Sequence, residues 1–286
     1  MSQENVSGRP GSWLARRRRT RERTQAFEAE RRLQLAAGEP TDRERDLLHR
    51  VDPQIHANDD MWPLPREHRR AAEMYVWAGL AALRSIEQAL RAGGGSDPRT
   101  ILDLPSGYGR VLRFLHVAYA DAEIVACDLN AEGVRFCAQQ FGVEPINSRR
   151  DVDRVSFAQS FDLIWCGSLL THLNESDSGA LIGLFRRSLT SSGLALVTTH
   201  GAHRAPEPDG VWEAGVEPDA VRRLRESVDE TGFGWEPYGG TGRYGATVIS
   251  RDWLRVRAQE HGLRETWFEQ DGWGGYQNVC ALAPGT

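Results

Sequence analysis

Short apolar runs alternate with amphipathic segments through the middle of the chain. TILDL, EIVACDL, FDLIWCG and GLALVTTH are largely apolar throughout, which is typical of strands buried on both faces. Between them, RVLRFLHVAYA, AEGVRFCAQQF and DSGALIGLFRRSL place apolar residues at helical spacing, and VEPIN predicts a short strand. Gly193 is expected to end the last of these helices in a left-handed conformation. This alternation predicts an α/β fold with a mostly parallel sheet and helices on both faces.

The segments that flank this alternation predict three further regions. Residues 1–60 are rich in Arg interleaved with Glu, which predicts a helical or partly disordered extension. Residues 61–286 are expected to form one domain, which begins with a helix over about residues 66–90. Residues 201–250 form an insertion with one helix, DAVRRLRESVDE, and an irregular Gly-rich and aromatic part, which predicts a lid. RDWLRVRAQEHG predicts a helix, and the end of the chain predicts an antiparallel hairpin.

Composition and charge exclude several classes of protein. The formal net charge is −5, so the overall charge does not favour nucleic acid as a partner. The four cysteines form no C-x-x-C pair, which favours buried, reduced thiols and a cytoplasmic location. The sequence shows no signal-peptide core behind its basic N-terminus and no apolar run long enough to cross a bilayer. The basic cluster near the N-terminus can bind phosphates or anionic lipid, although a solvated helix explains it more simply.

The segment ILDLPSGYGR, which begins at Ile101, follows a buried strand with an acid and a loop that has few side chains. Ligands of open α/β sheets bind beyond the carboxyl ends of the strands. Gly107 and Gly109 carry no Cβ, so ligand atoms can approach the backbone. The three-glycine spacing of dinucleotide-binding loops is absent, and a carboxylate at Asp103 would repel a pyrophosphate. The loop therefore predicts a ligand that carries positive charge.

DLPSGYGR resembles the D-x-x-x-G-x-G signature of class I S-adenosylmethionine (SAM)-dependent methyltransferases. The resemblance covers roughly residues 60–284 and implies a Rossmann-like, seven-stranded sheet with a terminal antiparallel hairpin, and SAM as the cofactor. Asp128, which ends the second strand, would hold the SAM ribose, and Leu129 would lie near the adenine. FDLIWCGSLLTHL resembles the fourth-strand motif, in which Gly167 and Ser168 would pass close to the methionine part. The implied cofactor residues are Asp103, Pro105, Ser106, Gly107, Gly109, Asp128, Leu129, Ser148, Gly167 and Ser168.

Two histidines are candidates for a general base, because each follows a strand whose end lines the expected site. His172 follows the fourth strand and His200 ends the fifth; a base is needed if the acceptor is a hydroxyl or a protonated amine. Each histidine can instead anchor a loop. His203 lies three residues further on, and H-x-x-H without a carboxylate third ligand does not predict a metal site. The candidates for acceptor binding are Tyr238, Tyr244, Trp273 and Gln277.

The sequence thus predicts a SAM-dependent methyltransferase that acts on an oxygen or nitrogen of a small-molecule acceptor. One alternative is a non-catalytic SAM-binding or scaffold protein that works through its Arg-rich arm. Another is an NAD(P)-dependent oxidoreductase, which predicts a third loop glycine and no acid at Asp103; the sequence meets neither condition. DNA amino-methyltransferases usually carry N/D-P-P-Y where this chain has CGSL, which argues against a nucleic-acid acceptor. The sequence identifies neither the acceptor nor an oligomeric state.

Overall fold

The computed structural model of the protein describes residues 13–36, 40–62, 68–204, 218–238 and 242–285. The chain divides into two compact units, residues 1–76 and 77–286. One helix, His68–Ala92, runs through this division, and the domain boundary that the composition predicts near residue 60 stays a prediction. None of the described helices is both long enough and apolar enough to cross a membrane.

The first unit is helical, as its Arg-rich composition predicts. Helix α1 spans Trp13–Ala36, and helix α2 spans Asp42–Arg50 behind a capping box at Thr41. The first seven residues of α1 are exposed on every side. Further along, Phe27 and Glu30 are buried, so this part of α1 packs against its surroundings.

Two arginines of α1 bind backbone carbonyls of the segment that follows α2. Arg23 donates to the carbonyls of His56 and Asp59 at 2.8 and 3.1 Å. Arg31 donates to the carbonyl of Val51 at 3.1 Å. A guanidinium presents five donors in a fixed fork and can serve two carbonyls at once. The charge pattern alone does not distinguish these packed arginines from the exposed ones at the start of the helix.

A seven-stranded sheet forms the centre of the second unit, and a separate two-stranded sheet accompanies it. In chain order the strands are β1 (Thr100–Asp103), β2 (Glu123–Asp128), β3 (Glu144–Asn147), β4 (Phe161–Cys166), β5 (Leu189–Thr199), β6 (Phe233–Pro237), β7 (Gly245–Ile249), β8 (Leu263–Trp273) and β9 (Gln277–Pro284). The large sheet has the order β3-β2-β1-β4-β5-β9-β8. Strands β1 to β5 are parallel to one another, β9 is antiparallel to β5, and β8 is antiparallel to β9. This arrangement confirms the predicted sheet and terminal hairpin.

Helices lie around this sheet, as the alternating pattern predicts. They are α3 (His68–Ala92), α4 (Leu112–Ala118), α5 (Ala131–Phe141), α6 (Glu175–Ser188), α7 (Pro218–Thr231) and α8 (Arg251–Glu260). The apolar runs of the strands form the core, in which Leu102, Ile164 and Val197 are fully buried. The four cysteines are also buried. Each fully buried aliphatic side chain stabilises the fold by roughly 1.5–3 kcal/mol relative to an exposed one.

The structure corrects two local predictions. Gly193 does not end a helix in a left-handed turn; it lies inside β5, where a Cβ would stand 2.6 Å from the carbonyl oxygen of Phe161. Close packing against β4 therefore requires the glycine. Helix α4 begins at Leu112 and not at Arg110, because the glycine-rich turn continues through Val111.

The insertion is more regular than its composition predicts. The predicted helix is present as α7, and the Gly-rich part forms the antiparallel pair β6–β7, with Phe233 opposite Ile249. The predicted loop GAHRAPEPDG lies largely outside the described residues, as do residues 239–241. The interpretation of residues 201–250 as a lid stays a prediction.

Candidate cofactor site and active site

The candidate site lies at the carboxyl ends of the parallel strands, where the strand order reverses between β1 and β4. Ligands of open α/β sheets bind at this place, because the loops after adjacent strands diverge there and leave a crevice. Asp103 ends β1 and Asp128 ends the neighbouring β2. Parallel pairing places Asp103 beside Ala126, so the two acids lie at the same edge of the sheet.

Asp128 ties the end of β2 to the glycine-rich loop. Its Oδ2 accepts a hydrogen bond from the Gly107 N–H at 2.7 Å, and its Oδ1 accepts one from the Asn130 N–H at 2.8 Å. Each oxygen of a carboxylate has two lone pairs and can accept more than one hydrogen bond. Leu129, the next residue, is 53 % exposed. Ser148 donates its N–H to the Asp128 carbonyl at 2.8 Å, which brings the exit of β3 beside this acid.

Glycine occurs at positions 107 and 109 of the loop for different structural reasons. Gly107 has a φ of +52°, and a Cβ built on it would have no atom within 4 Å. Gly109 has a φ of +77°, and a Cβ there would lie 2.8 Å from the Phe141 ring. Gly109 is thus required by packing, whereas Gly107 leaves open space beside the backbone. The Leu104–Pro105 peptide bond that precedes them is cis.

Asp103 and Ser106 present buried polar atoms to this space. Asp103 is only 1 % exposed, and within the described part of the chain its Oδ2 has no hydrogen-bond partner; the same holds for the Ser106 hydroxyl. Burial, and then the neighbouring charge of Asp128, raise the pKa of Asp103 well above its ordinary value, while Arg110 counteracts them. Because buried polar atoms almost always have partners, this pair fits a ligand that donates hydrogen bonds or carries positive charge.

Two arginines of the loop region were not predicted from the sequence. Arg113 is fully buried, and its guanidinium donates to the carbonyls of Gly109 and Tyr108 at 2.9 and 3.3 Å. Arg110 lies with its guanidinium 5.1 Å from the centre of the Trp273 ring. A charged residue inside the apolar run RVLRFL is the only sequence signal for Arg113. Its role is to hold the loop's carbonyls in place.

The exit of β4 forms the opposite wall of the candidate site. A Cβ on Gly167 would lie 3.0 Å from Trp165 Nε1 and 3.2 Å from the Trp273 ring. Trp273 is buried, and its indole N–H donates to the Ala78 carbonyl at 2.9 Å. Ser168 follows Gly167 with a φ of +61° and shares hydrogen bonds with the buried Gln277. Trp273 and Gln277 thus lie behind the β4 exit.

His172 is held by the β6–β7 pair. Its Nδ1 lies 3.0 Å from the Tyr238 hydroxyl and 3.3 Å from the Gly245 carbonyl oxygen. Tyr244 stacks on the imidazole, with ring centres 4.9 Å apart and planes inclined by 18°. Burial lowers the pKa of His172, and the hydrogen bond to Gly245 partly opposes this shift. The ring is therefore neutral near pH 7.

His200 lies at the same rim, whereas His203 points to the terminal hairpin. Burial, followed by the proximity of His172, lowers the pKa of His200 to about 4. The His200 carbonyl accepts from the Ile249 N–H at 2.8 Å, which ties the exit of β5 to β7. His203 Nε2 lies 3.0 Å from an oxygen of Asp271. No group of metal-binding side chains occurs among the residues that the structure describes.

Sequence comparison adds the decisive observation. Residues 101–193, which run from β1 into β5 and contain both site acids, match the methyltransferase domain family. This segment of the chain is a methyltransferase domain. The match agrees with the signature DLPSGYGR and with SAM as the cofactor, and it favours a methyltransferase over the oxidoreductase alternative. Among curated proteins, none matches the sequence.

Solved structures align with most of this chain at low sequence identity. A SAM-dependent methyltransferase from Clostridium acetobutylicum aligns with a TM-score of 0.53 at 12% identity, over 73% of this chain and 92% of that one. Human N-acetylserotonin methyltransferase, solved with SAM, gives 0.49 at 15% identity, over 75% and 53%. The PH0226 protein of Pyrococcus horikoshii gives 0.48 at 18% identity, over 71% and 91%. The first of these likenesses shows the fold and says nothing about the acceptor.

The residues of the methyltransferase fit SAM. The open space beside Gly107 admits a ligand close to the backbone, and the buried oxygens of Asp103 and Ser106 offer partners for polar and cationic groups. The exposed Leu129 offers an apolar surface next to Asp128. SAM carries a cationic sulfonium and ammonium and polar ribose hydroxyls, which suit the buried oxygens. Its adenine suits the apolar surface. The assignment of individual residues to parts of SAM stays a prediction.

SAM affinity is expected to rise with pH up to the pKa of Asp103 and to be constant above it. Burial raises that pKa, so the carboxylate that favours a cation is populated only at higher pH. Binding of a cation should therefore release a proton, with a slope of at most about tenfold per pH unit. Calorimetric titration in two buffers of different ionisation enthalpy measures this release.

Asp103→Asn is the control, because it keeps the shape and removes the titration. It should abolish the slope for SAM, and S-adenosylhomocysteine, which lacks the sulfonium charge, should show a smaller slope with the native protein. Equal slopes for the two ligands would mean that Asp103 acts on the amino-acid end. A SAM affinity that does not change with pH would refute the assignment.

Proposed function

We propose that this methyltransferase transfers the SAM methyl group to an oxygen or nitrogen of an uncharged small-molecule acceptor, with His172 as the general base. The observation that carries the proposal is the environment of His172 Nδ1, which lies 3.3 Å from a carbonyl oxygen, that of Gly245. A carbonyl can only accept a hydrogen bond, and the Tyr238 hydroxyl at 3.0 Å can accept one as well, so both neighbours are compatible with a proton on Nδ1. Nε2 then keeps its lone pair and can take a proton.

The surroundings of His172 support an uncharged acceptor. Burial lowers the pKa of both His172 and His200, so both rings are neutral near pH 7. Tyr238, whose hydroxyl contacts His172, keeps its proton because burial raises the pKa of the phenol. Tyr244 is stacked on His172 but about half exposed, so its ring can contact an acceptor as well. Neutral rings and hydroxyls suit an acceptor without charge.

The β6–β7 pair is anchored over the exit of β4 by its own backbone. Gly245 and Thr247 donate their N–H groups to the carbonyls of His172 and Thr171 at 2.9 and 3.0 Å. The Thr247 hydroxyl donates to the Leu173 carbonyl at 2.8 Å. These contacts support a covering role for the insertion, which would exclude water from the reacting atoms.

The chain's own contribution to methyl transfer is position and one proton acceptor. SAM supplies a methyl group that is already activated by the attached sulfonium. The Asp128 and Gly107 region would bind the cofactor, and the aromatic side chains beside His172 would orient the acceptor. His172 Nε2 would accept the proton that an acceptor hydroxyl or neutral amine loses when it is methylated, and His200 would line the same rim. Trp273 would support the acceptor site by packing behind the β4 exit.

His172→Ala is expected to lower kcat by about 100-fold, the lower range for a general base, and to leave the affinity for S-adenosylhomocysteine unchanged. S-adenosylhomocysteine release is measured with a panel of uncharged alcohols, phenols and amines. His49→Ala, an exposed histidine of α2, is the matched control and should have no effect. An unchanged kcat in His172→Ala would remove the base assignment. Turnover only with a protein or nucleic acid would remove the small-molecule acceptor.

The pH profile gives a second test of the same base. A base must be unprotonated, so kcat should rise with pH through the pKa of His172 and stay level above it. Because burial lowers this pKa, the rise should fall below the ordinary value of 6.5. The rise should be absent in His172→Ala. A rise centred above 6.5 would point to another group.

A further inference from the structure

Ser168 adopts a backbone conformation that residues other than glycine rarely adopt. Its φ is +61°, at the point where the chain leaves β4 and enters the candidate site. Among the described residues, Asp271 is the other non-glycine residue with a positive φ. Such a conformation persists only when the surrounding structure holds it, and it occurs often at functional sites. Contacts with the rest of the fold must therefore hold Ser168 in place.

A hydrogen-bond network from two other strands holds Ser168. The Ser168 N–H donates to Thr198 Oγ1 on β5 at 2.7 Å. Gln277 at the start of β9 donates from Nε2 to Ser168 Oγ at 3.0 Å. The Thr198 hydroxyl donates to Gln277 Oε1 at 2.6 Å, which closes the ring of contacts. On the other side, the Thr171 hydroxyl donates to the Ser168 carbonyl at 2.6 Å.

Gln277 is poorly placed for direct contact with an acceptor. Its side chain is 3 % exposed, and both ends of its amide are engaged by Ser168 and Thr198. Thr198 is also fully buried. A buried amide whose donor and acceptor are both satisfied within the fold has a defined orientation and little capacity for a further ligand. The network therefore holds Ser168 twice, its backbone N–H through Thr198 and its hydroxyl through Gln277.

The conformation of Ser168 determines the course of the following turn. The Ser168 carbonyl is bonded to Thr171, and the His172 N–H donates to the Leu169 carbonyl at 3.1 Å, so the turn leads directly to His172. We propose that Gln277 and Thr198 are positioning residues for methyl transfer, which hold Ser168 in its left-handed conformation and thereby place the β4 exit against the cofactor. This inference rests on the proposed function and on the expectation, from the family resemblance, that Gly167 and Ser168 pass close to the methionine part of SAM.

A double-mutant cycle with Ser168→Gly tests the proposal. Glycine adopts a φ of +61° without strain, so the Ser168→Gly variant has less need of the network. Ser168→Ala equally lacks the hydroxyl that Gln277 binds but keeps the strained backbone, so it is the comparison variant and should stay sensitive to Gln277→Ala. Gln277→Ala should weaken S-adenosylhomocysteine binding about tenfold in the native background, equal to about 1.4 kcal/mol. The same change should cost less than about threefold in the Ser168→Gly background. The probe is S-adenosylhomocysteine itself, measured by calorimetry with the full chain.

Asn278→Ala is the matched control. Asn278 is the next residue of β9, is similarly buried, and uses its side-chain oxygen to accept from the Asp271 N–H at 3.0 Å. Asn278→Ala should change S-adenosylhomocysteine affinity by the same factor in the native and the Ser168→Gly backgrounds. Thr198→Val is nearly isosteric and removes the hydroxyl; it should reproduce the dependence on Ser168 if Gln277→Ala does not fold.

The outcomes separate this proposal from the proposed function. Equal losses for Gln277→Ala in both backgrounds would mean that Gln277 acts elsewhere, and no loss in either would remove its positioning role. Either result would overturn the proposal and leave the His172 assignment untouched. The His172→Ala experiment can fail independently, because it depends on kcat and not on cofactor affinity.

Discussion

Asp128→Ala is expected to weaken the binding of SAM and of S-adenosylhomocysteine by about 1000-fold, equal to about 4 kcal/mol. We expect the acid at the end of the second strand to accept hydrogen bonds from the ribose hydroxyls, as in other nucleotide-binding α/β folds. Hydrogen bonds to a charged group contribute roughly 1.5–3 kcal/mol each. The substitution also releases the Gly107 N–H, which Asp128 Oδ2 binds at 2.7 Å. The loss therefore combines missing ligand contacts with a less ordered loop.

Asp162→Ala is the control for Asp128→Ala. Asp162 stands near the start of β4, at the other end of the sheet, and its Oδ2 likewise accepts backbone N–H groups, those of Arg99 and Thr100 at 3.0 and 3.3 Å. Its removal should lower the melting temperature without changing ligand affinity. Calorimetric titration of both variants measures the difference. Native affinity in a folded Asp128→Ala variant would remove the ribose assignment.

Gly107→Val is expected to reduce SAM affinity by about 1000-fold, or about 4 kcal/mol, while the protein remains folded. At a φ of +52° a β-branched residue is strained by about 1–3 kcal/mol. The free protein has room for the new side chain, since a Cβ there has no atom within 4 Å. The added carbons would occupy the space through which the cofactor approaches the backbone, so the larger part of the effect should fall on binding. Calorimetry and thermal unfolding together measure the two contributions.

Gly109→Ala should show the opposite balance. A Cβ at this position would lie 2.8 Å from the Phe141 ring and 3.2 Å from Cys137 Sγ, so the substitution overpacks the core beside α5. Overpacking costs roughly 1–3 kcal/mol, and the left-handed backbone adds about 1 kcal/mol more. Stability should fall by about 2–4 kcal/mol, with SAM affinity changed less than in Gly107→Val. If one of the two variants lost more than the other in both SAM affinity and stability, the two glycines would not have separate roles.

The sequence alone was sufficient for the sheet, the loop and the cofactor. Continuous apolar runs such as TILDL and FDLIWCG encode strands buried on both faces, and their alternation with helical periodicity restricts the topology. The loop requires particular residue types at adjacent positions, an acid at Asp103 and glycines at 107 and 109. A requirement of this kind is visible in a single stretch of sequence. The candidate site residues that belong to such stretches can be proposed from the sequence, and their roles stay predictions.

Only the tertiary structure decided which distant side chains meet. Gln277 and Ser168 are 109 residues apart, and their contact exists because β9 pairs with β5 and β5 with β4. The buried Arg113, the pairing of β6 with β7, and the place of Gly193 within β5 likewise depend on what packs against each residue. Periodicity reports whether a position is buried, but the identity of its partner is set by the closure of non-local contacts. The sequence therefore specified the fold and the cofactor loop, and the folded chain alone brought His172, Tyr238 and Tyr244 together.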